Sequence, residues 1–462
     1  MNTRSISGLF AVILLADFVV STHAQVSIPD PGLEAAVRQA LQKPAGPLTQ
    51  SDLLSLNVLS ACCRDIKSLQ GLEAAHNVRV LDLHSNSLTN ATVVNSLTNL
   101  QILDLFQNQL TSFVLTNARS NLNIVDLAFN TLTQCSLPGG LTNLDTLFLE
   151  GNQLTNFTLP AGLTGLTQLD LSGNALSSFA FPANMTNLVT ALIFANQLTN
   201  VAMPGTLKRL ANLDLDFNRL RALTIPTGLP NLIGLTLFGN QLTNLILPPD
   251  ITKLGFLDVG DNQLGTLNVP AGLTNLSFLR ASGNKLTSVA LPEGLTNLST
   301  IFLRSNQLTS LTLPPGLTHL VQIDVISNQI TNLTLPPDMI QLSTLGLEGN
   351  PLATFVLSEP LATTGLSAVV ATLQNQGVSV FTYPLAAQLV RPLALAGAFK
   401  FAITGPPGVY SVFGSTNLTT WSVVGVATNP LGSVNFHDVT ADAFPQRFYR
   451  VLLQVPPANM VL

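Results

Sequence analysis

Charge is scarce in this chain of 462 residues: Asp, Glu, Lys and Arg together make up 9%, against 46% hydrophobic residues. A chain that stays disordered has the opposite balance, so the composition predicts a folded protein with room for two or three ordinary domains. The 19 Lys and Arg are outnumbered by 24 Asp and Glu, for a net charge of −5. No basic stripe is available to neutralise phosphates, which argues against nucleic acid as a partner. Cysteine is nearly absent: Cys62, Cys63 and Cys135 are too few for a disulfide framework. Cys62 and Cys63 read as either a strained vicinal disulfide or two free thiols. A metal site there is disfavoured, since neither a second cysteine pair nor a histidine at ligand spacing stands nearby. Catalytic signatures are missing as well. His76, His84, His319 and His437 show no HExxH spacing, and no GxSxG or phosphate-binding loop occurs. The expectation is a protein that is not an enzyme and uses no cofactor and no metal.

Long apolar runs are lacking beyond the opening segment. That segment, MNTRSISGLFAVILLADFVVSTHAQ, has a basic Arg4, an apolar stretch from Gly8 to Val20, and small residues at Thr22-His23-Ala24. It predicts a secretory signal over residues 1–24, cleaved from the mature protein. Asp17 interrupts the stretch, which is shorter than the ~20 residues a membrane-spanning helix needs. No LPxTG-like wall-sorting signal or basic tail follows at the C-terminus. The expectation is an exported protein, extracellular or in the cell envelope, with no membrane span.

What the chain has in abundance is repetition. Asparagines recur every 22 residues without an insertion, at Asn86, Asn108, Asn130, Asn152, Asn174, Asn196, Asn218, Asn240, Asn262, Asn284, Asn306, Asn328 and Asn350. Each sits in the frame LxxLxLxxNxL, as in LQILDLFQNQL (100–110) and LSTIFLRSNQL (298–308), so the chain is a repeat array. The alternating leucines predict a half-buried strand, and stacking identical units pairs those strands into one parallel sheet. The asparagine amide can both donate and accept, so it can satisfy backbone groups where the chain bends inward after the strand. The next segment, as in QLTNFTLPAGLTGL (153–166), has two apolar ladders: Phe157, Phe179, Val201, Leu223, Leu245 and Leu159, Phe181, Met203, Ile225, Leu247. It predicts a short extended piece ended by proline, since it lacks a 3.6-residue period.

The frame resembles the leucine-rich repeat, and the period with its extended convex segment is similar to the bacterial extracellular kinds. Residues 28–72 resemble the helical cap and first repeat of internalin-like proteins. Within them LNVLSACCRDI (56–66) is a fourteenth, degenerate repeat, in which Arg64 stands where the asparagine belongs. The resemblance spans about residues 28–383. It implies a solenoid that serves as a binding scaffold and does not fix the ligand. Two departures limit it: internalins typically have a short convex helix, and no surface anchor follows the array, so adhesion or invasion is not inherited.

A ligand would meet the outward positions of the strands. Their central column runs Asp82, Asp104, Asp126, Phe148, Asp170, Leu192, Asp214, Thr236, Asp258, Arg280, Phe302, Asp324, Gly346. Neighbouring aspartates repel by roughly 1 kcal/mol in water. A cation or basic ligand would relieve that repulsion; the plainer reading is that aspartate keeps an exposed strand soluble. Beside this column stand Phe106, Phe194, Phe238, Phe256 and Phe278, of a kind that marks partner surfaces when contiguous. Phe256, Phe278 and Phe302 come from adjacent repeats flanked by Arg280 and Arg304. The C-terminal half is the expected contact surface, unless the tail or a convex residue covers it.

After Asn350 the repeat decays. LSAVVATLQNQGVSVFTYP (366–384) predicts a helix, a glycine break at Gly377 and a strand, a cap for the open end of the sheet. From Gln388 short alternating runs predict five or six strands in a small β-sandwich. This tail is similar to C-terminal modules of secreted bacterial proteins. Its Trp421, Tyr410 and Tyr449 are either a sugar-stacking platform or core aromatics, and His437-Asp438 reads as packing or a loop contact.

The organisation expected is therefore a signal (1–24), a helical cap (25–55), leucine-rich repeats (56–361), a C-terminal cap (362–387) and an all-β module (388–462). The leading reading of function is binding of a protein ligand on the concave sheet. The alternative is a glycan- or envelope-associated module in which the tail makes contact and the array is a rigid spacer of roughly 65 Å. Neither reading predicts an oligomeric state.

Overall fold

In the computed structural model, residues 25–395 and 397–454 are described. The expected signal, residues 1–24, lies outside them. Fourteen short parallel strands, one per repeat from Val58–Ser60 to Thr344–Gly346, form a single continuous sheet. Adjacent strands pair in a register of 22: Leu81 faces Leu103, which faces Val125, and Phe256 faces Phe278. The inward residue of each strand is almost fully buried while its neighbours face out, the period-2 pattern read from the leucines. The convex side is extended, with short parallel pairs such as Ser178–Ala180 with Asn200–Ala202 and Thr266–Asn268 with Ser288–Ala290. Both apolar ladders lie inside it: Phe157, Phe179, Phe181 and Ile225 are buried. One unit departs. Thr92–Ser96 forms a 3₁₀ turn where the chain lacks the proline of later repeats. The buried Arg119 of the next repeat donates to the carbonyls of Val94, Asn95 and Leu97 at that turn.

Asparagine stitches the turns together. In mid-array each Nδ2 donates to carbonyls two, three and 25 residues back, and each Oδ1 accepts an N–H 20 residues back, as Asn218 does with Asp216, Leu215, Ile193 and Leu198. Every residue just before one of these thirteen asparagines adopts left-handed backbone, from Ser85 (φ 55°) through Phe129 (52°) and Phe217 (52°) to Gly349 (73°). This conformation turns the chain inward. Glycine fills it at Gly151, Gly173, Gly239, Gly283 and Gly349, where it carries no steric cost.

At the N-terminus α1 (Pro31–Ala40) and α2 (Gln50–Leu54) cover the first repeat. Asp30 caps α1 through Leu33 N–H and also accepts from Lys67 and Ser68 N–H, tying the cap to the array. Arg64, with no earlier repeat to stitch, reaches Gln39 of α1. At the far end α3 (Glu359–Thr363) and α4 (Ser367–Asn375) precede the strand Ser379–Tyr383, which joins the convex sheet beside Thr354–Ser358. Tyr383 is fully buried, and its hydroxyl donates to Leu335 O at 2.7 Å. The tail then folds as two antiparallel sheets of three strands, and Phe401, Ile403, Tyr410, Val412 and Phe436 from both sheets share one core. Among the described residues no helix is long and apolar enough to cross a membrane.

Candidate functional site

The sheet's outward face carries three columns of side chains, and the inward bend after each strand adds a fourth position. The strand order places Asp82, Asp104 and Asp126 side by side, one strand apart, with Phe148 and then Asp170 next. These aspartates have a local role that periodicity does not reveal. Each of the seven in the central column accepts the N–H two residues on: Asp82 from His84, Asp104 from Phe106, Asp126 from Ala128, Asp170 from Ser172, Asp214 from Asp216, Asp258 from Gly260 and Asp324 from Ile326. The carboxylate thus closes an Asx turn where the strand ends and its ladder runs out. Solubility alone, the plainer sequence reading, is an incomplete account.

Packed together and partly withdrawn from water, several carboxyls lose acidity. Burial, with Asp104 and Asp170 nearby, pushes Asp126 up to about 6. Burial likewise pushes Glu150 up to about 7 and Asp216 up to about 6, with neighbouring carboxylates adding to both. Asp104 and Asp170 shift up for the same reason. Desolvation disfavours the charged form, and a like charge one strand away adds to it. Asp258 also shifts up through burial, although Arg280 lies 3.4 Å away. Expected at the surface, Asp258 is 7% exposed, because the Arg280 side chain lies across it.

The C-terminal half is aromatic. Phe256 stacks on Phe278 with centroids 4.4 Å apart and rings nearly parallel, and Phe302 meets Phe278 edge-on at 5.6 Å. Phe256 is exposed; Phe278 and Phe302 are half-buried. The Arg280 guanidinium lies 4.5 Å from the Phe238 ring centroid, so Phe238, Arg280 and Asp258 continue the cluster. Arg304 is exposed beside it. Phe106, Phe148 and Phe194 are half-buried on other strands and do not join this group. Sequence reasoning missed Phe129 and Phe217, the exposed rings at the left-handed position. Phe129 meets Phe106 edge-on at 5.5 Å and Phe217 meets Phe238 at 5.2 Å. Their signal was available: phenylalanine stands where the other repeats place Gly or a small or polar residue.

The tail aromatics divide. Tyr410 is fully buried, Tyr449 stacks on Phe399 and donates to Asp438, and Trp421 lies under Arg450, so the three form no shared platform. Asp438 is buried against Arg447, while His437 points outward on the same strand. The spacing argument about Cys62 and Cys63 fails in the fold. His84 is 22 residues away along the chain and one strand away in space, so the three side chains come together. Cys135 pairs across from Phe113 in the convex ladder, and burial pushes its thiol up to about 12.

Sequence models of two families match. "Leucine Rich repeats" covers residues 142–184 and 274–315, and "BspA type Leucine rich repeat region" covers six copies over 171–279. No curated protein matches the chain. Among solved structures, a leucine-rich-repeat protein of Leptospira interrogans is 26% identical, covering 72% of this chain and 85% of its own, with a TM-score of 0.50. An internalin of Listeria monocytogenes is 22% identical, over 69% of this chain and 96% of its own, at 0.51. YopM, a leucine-rich effector of Yersinia pestis, is 22% identical, over 70% and 88%, at 0.50. At those identities the last two speak for the fold alone.

Proposed function

We propose that this chain, a leucine-rich-repeat protein, is an exported binding protein whose concave sheet holds a protein partner. The observation that carries the reading is the aromatic cluster of Phe256, Phe278 and Phe302 on the outer face of the sheet. Aromatic rings there contribute little to the solenoid core, and contiguous apolar surface of this kind is what interfaces use as an anchor. The rest of the face supports it. The first eight strands are acidic, through Asp82, Asp104, Asp126, Glu150, Asp170, Asp214 and Asp216, while Arg280 and Arg304 flank the aromatic end. A partner with an apolar knob and a basic segment would match both halves, the knob supplying affinity and the charge fixing register and encounter rate. Export is part of the same proposal. It rests on the opening segment and on the extracellular kinds of repeat that the array resembles.

The test is affinity capture from extracellular and envelope extract, followed by binding measurements with the purified captured protein. The Phe256→Ser/Phe278→Ser/Phe302→Ser variant should keep the wild-type circular dichroism and lose at least ~2 kcal/mol of affinity, about thirtyfold. A partner held equally by both proteins would place the contact elsewhere and refute the assignment.

A further inference from the structure

The stacking that builds the sheet also brings a histidine to two of the chain's three cysteines. The first two strands pair Val58 with Val80 and Ser60 with Asp82, and the ladder continues as Cys63 N–H donates to His84 O at 3.3 Å. Cys62 and His84 therefore occupy one column, one strand apart. In a strand Cys63 would point to the opposite side from Cys62, but its left-handed backbone, φ 59°, breaks the alternation. Cys62, Cys63 and His84 are the one group of three or more potential metal donors among the described residues whose donor atoms all lie within 4.8 Å of one another. The Asp82 carboxylate stands 3.9 Å from His84 Nε2 and is itself held by Ser60 Oγ at 2.8 Å.

We propose that Cys62, Cys63 and His84 bind a zinc ion, with Asp82 orienting the imidazole. Two thiolates and a neutral imidazole suit a tetrahedral d¹⁰ cation, which takes sulfur at about 2.3 Å and nitrogen at about 2.0–2.1 Å. Closing the site from the observed separations takes rotation of side chains that are half-buried or exposed. Binding replaces the two thiol protons, which pass to solvent, and no oxidant or reductant is involved. A carboxylate hydrogen-bonded to a ligating histidine selects its tautomer and raises its basicity; Asp82, at 3.9 Å from Nε2, takes that role once the ring turns to close the site, while Nδ1 now lies 3.1 Å from Ser85 Oγ. Three protein donors leave one tetrahedral position open, for water or for a donor brought by a ligand. The site lies at the N-terminal end of the sheet and is independent of the aromatic cluster and of the partner reading.

The experiment uses the reduced full-length chain, with Zn²⁺ measured against a chromophoric chelator and Co²⁺ as the spectroscopic substitute. One ion per chain is expected, with a sulfur-to-cobalt charge-transfer band in the near ultraviolet and tetrahedral bands in the visible. Cys62→Ser/Cys63→Ser should abolish both, His84→Gln and Asp82→Asn should each weaken binding roughly tenfold or more, and Cys135→Ser should change nothing. Alkylating the exposed thiols of the folded wild-type chain checks the same point without a mutation. The proposal is overturned by sub-stoichiometric binding, by a cobalt spectrum without sulfur charge transfer, or by equal binding in the double-serine variant. Isolation without reductant of a chain in which Cys62 and Cys63 are joined as a disulfide would overturn it too.

Discussion

Replacing Asn218 with alanine tests the stitching of the array at its middle. The amide donates to Ile193 O, Leu215 O and Asp216 O at 3.0–3.2 Å and accepts from Leu198 N at 3.0 Å, and the residue is 6% exposed. The carbonyls are not left bare when it goes. Ile193 O keeps Asn196, Leu215 O keeps Asn240, and Asp216 O keeps the N–H of Ala195. The N–H of Leu198 has no such reserve and is orphaned in a buried setting. One orphaned donor costs about 1–3 kcal/mol and the lost amide bonds add about 1, so Asn218→Ala should destabilise by roughly 2–4 kcal/mol. Asn218→Asp should be worse at neutral pH, because it points a carboxylate oxygen at three carbonyls; protonation should narrow the gap, since the acid can donate once. At Asn350, half-buried at the array's end, alanine should cost less, about 1–2 kcal/mol, because water reaches the freed groups. Urea unfolding followed by circular dichroism gives the ranking. Hydrogen exchange at the Leu198 amide gives the local effect even if the array does not unfold in two states. An Asn218→Asp protein as stable as wild type at pH 7 would refute the reasoning, as would an alanine cost under about 0.5 kcal/mol.

Two further predictions follow from the concave face and its rim. Carboxyls raised in the folded state, Asp126 and Asp216 to about 6 and Glu150 to about 7, hold protons that the unfolded chain has lost. Their effect is to lower stability progressively as pH rises from about 4 to about 7. Asp52, held down to about 2 by Lys43 and Thr49, works the other way and withdraws stability only below about pH 4. Thermal scans should therefore give a midpoint a few degrees higher at pH 5 than at pH 8, and Glu150→Gln should flatten the difference; a midpoint that rises from pH 5 to pH 8 would contradict the assignment. At the left-handed position, Gly173→Ala adds a Cβ with no contact closer than 3.4 Å, whereas at Gly151 that Cβ would lie 2.9 Å from the Phe129 ring. Both pay the backbone cost of about 1–2 kcal/mol, and Gly151→Ala should be the more destabilising by chemical denaturation because the ring must also move; equal losses would mean that Phe129 does not rest on Gly151.

Periodic features were legible because they are local. The 22-residue count, the alternating leucines, the proline-ended convex segment and the helix–Gly377–strand cap each follow from backbone preference and side-chain spacing within one repeat. The tail's alternation likewise foretold five or six strands, and six form. Three features of the face were missed, although the phenylalanines standing just before Asn130 and Asn218 marked one of them. The Asx turns of the aspartate column depend on where each strand's ladder ends, and the exposed rings of Phe129 and Phe217 depend on a left-handed φ that nine repeats adopt without glycine. Asp258 reads as exposed from its column, yet it is buried by an arginine that arrives from the next strand.

The chain's order thus determined the solenoid, its parallel sheet, its asparagine stitching and the identity of each outward column, because every repeat carries the same local instructions. Tertiary stacking decided which side chains meet. It turns a separation of 22 residues into one strand spacing of about 4.8 Å, so that Phe256 lies on Phe278, Arg280 on Asp258, and His84 beside Cys62 and Cys63. The repeat count already put Phe256 and Phe278 in adjacent repeats; that their rings stack, that Arg280 covers Asp258 and that His84 reaches the two thiols follows only once the repeats are in register and the side chains are packed.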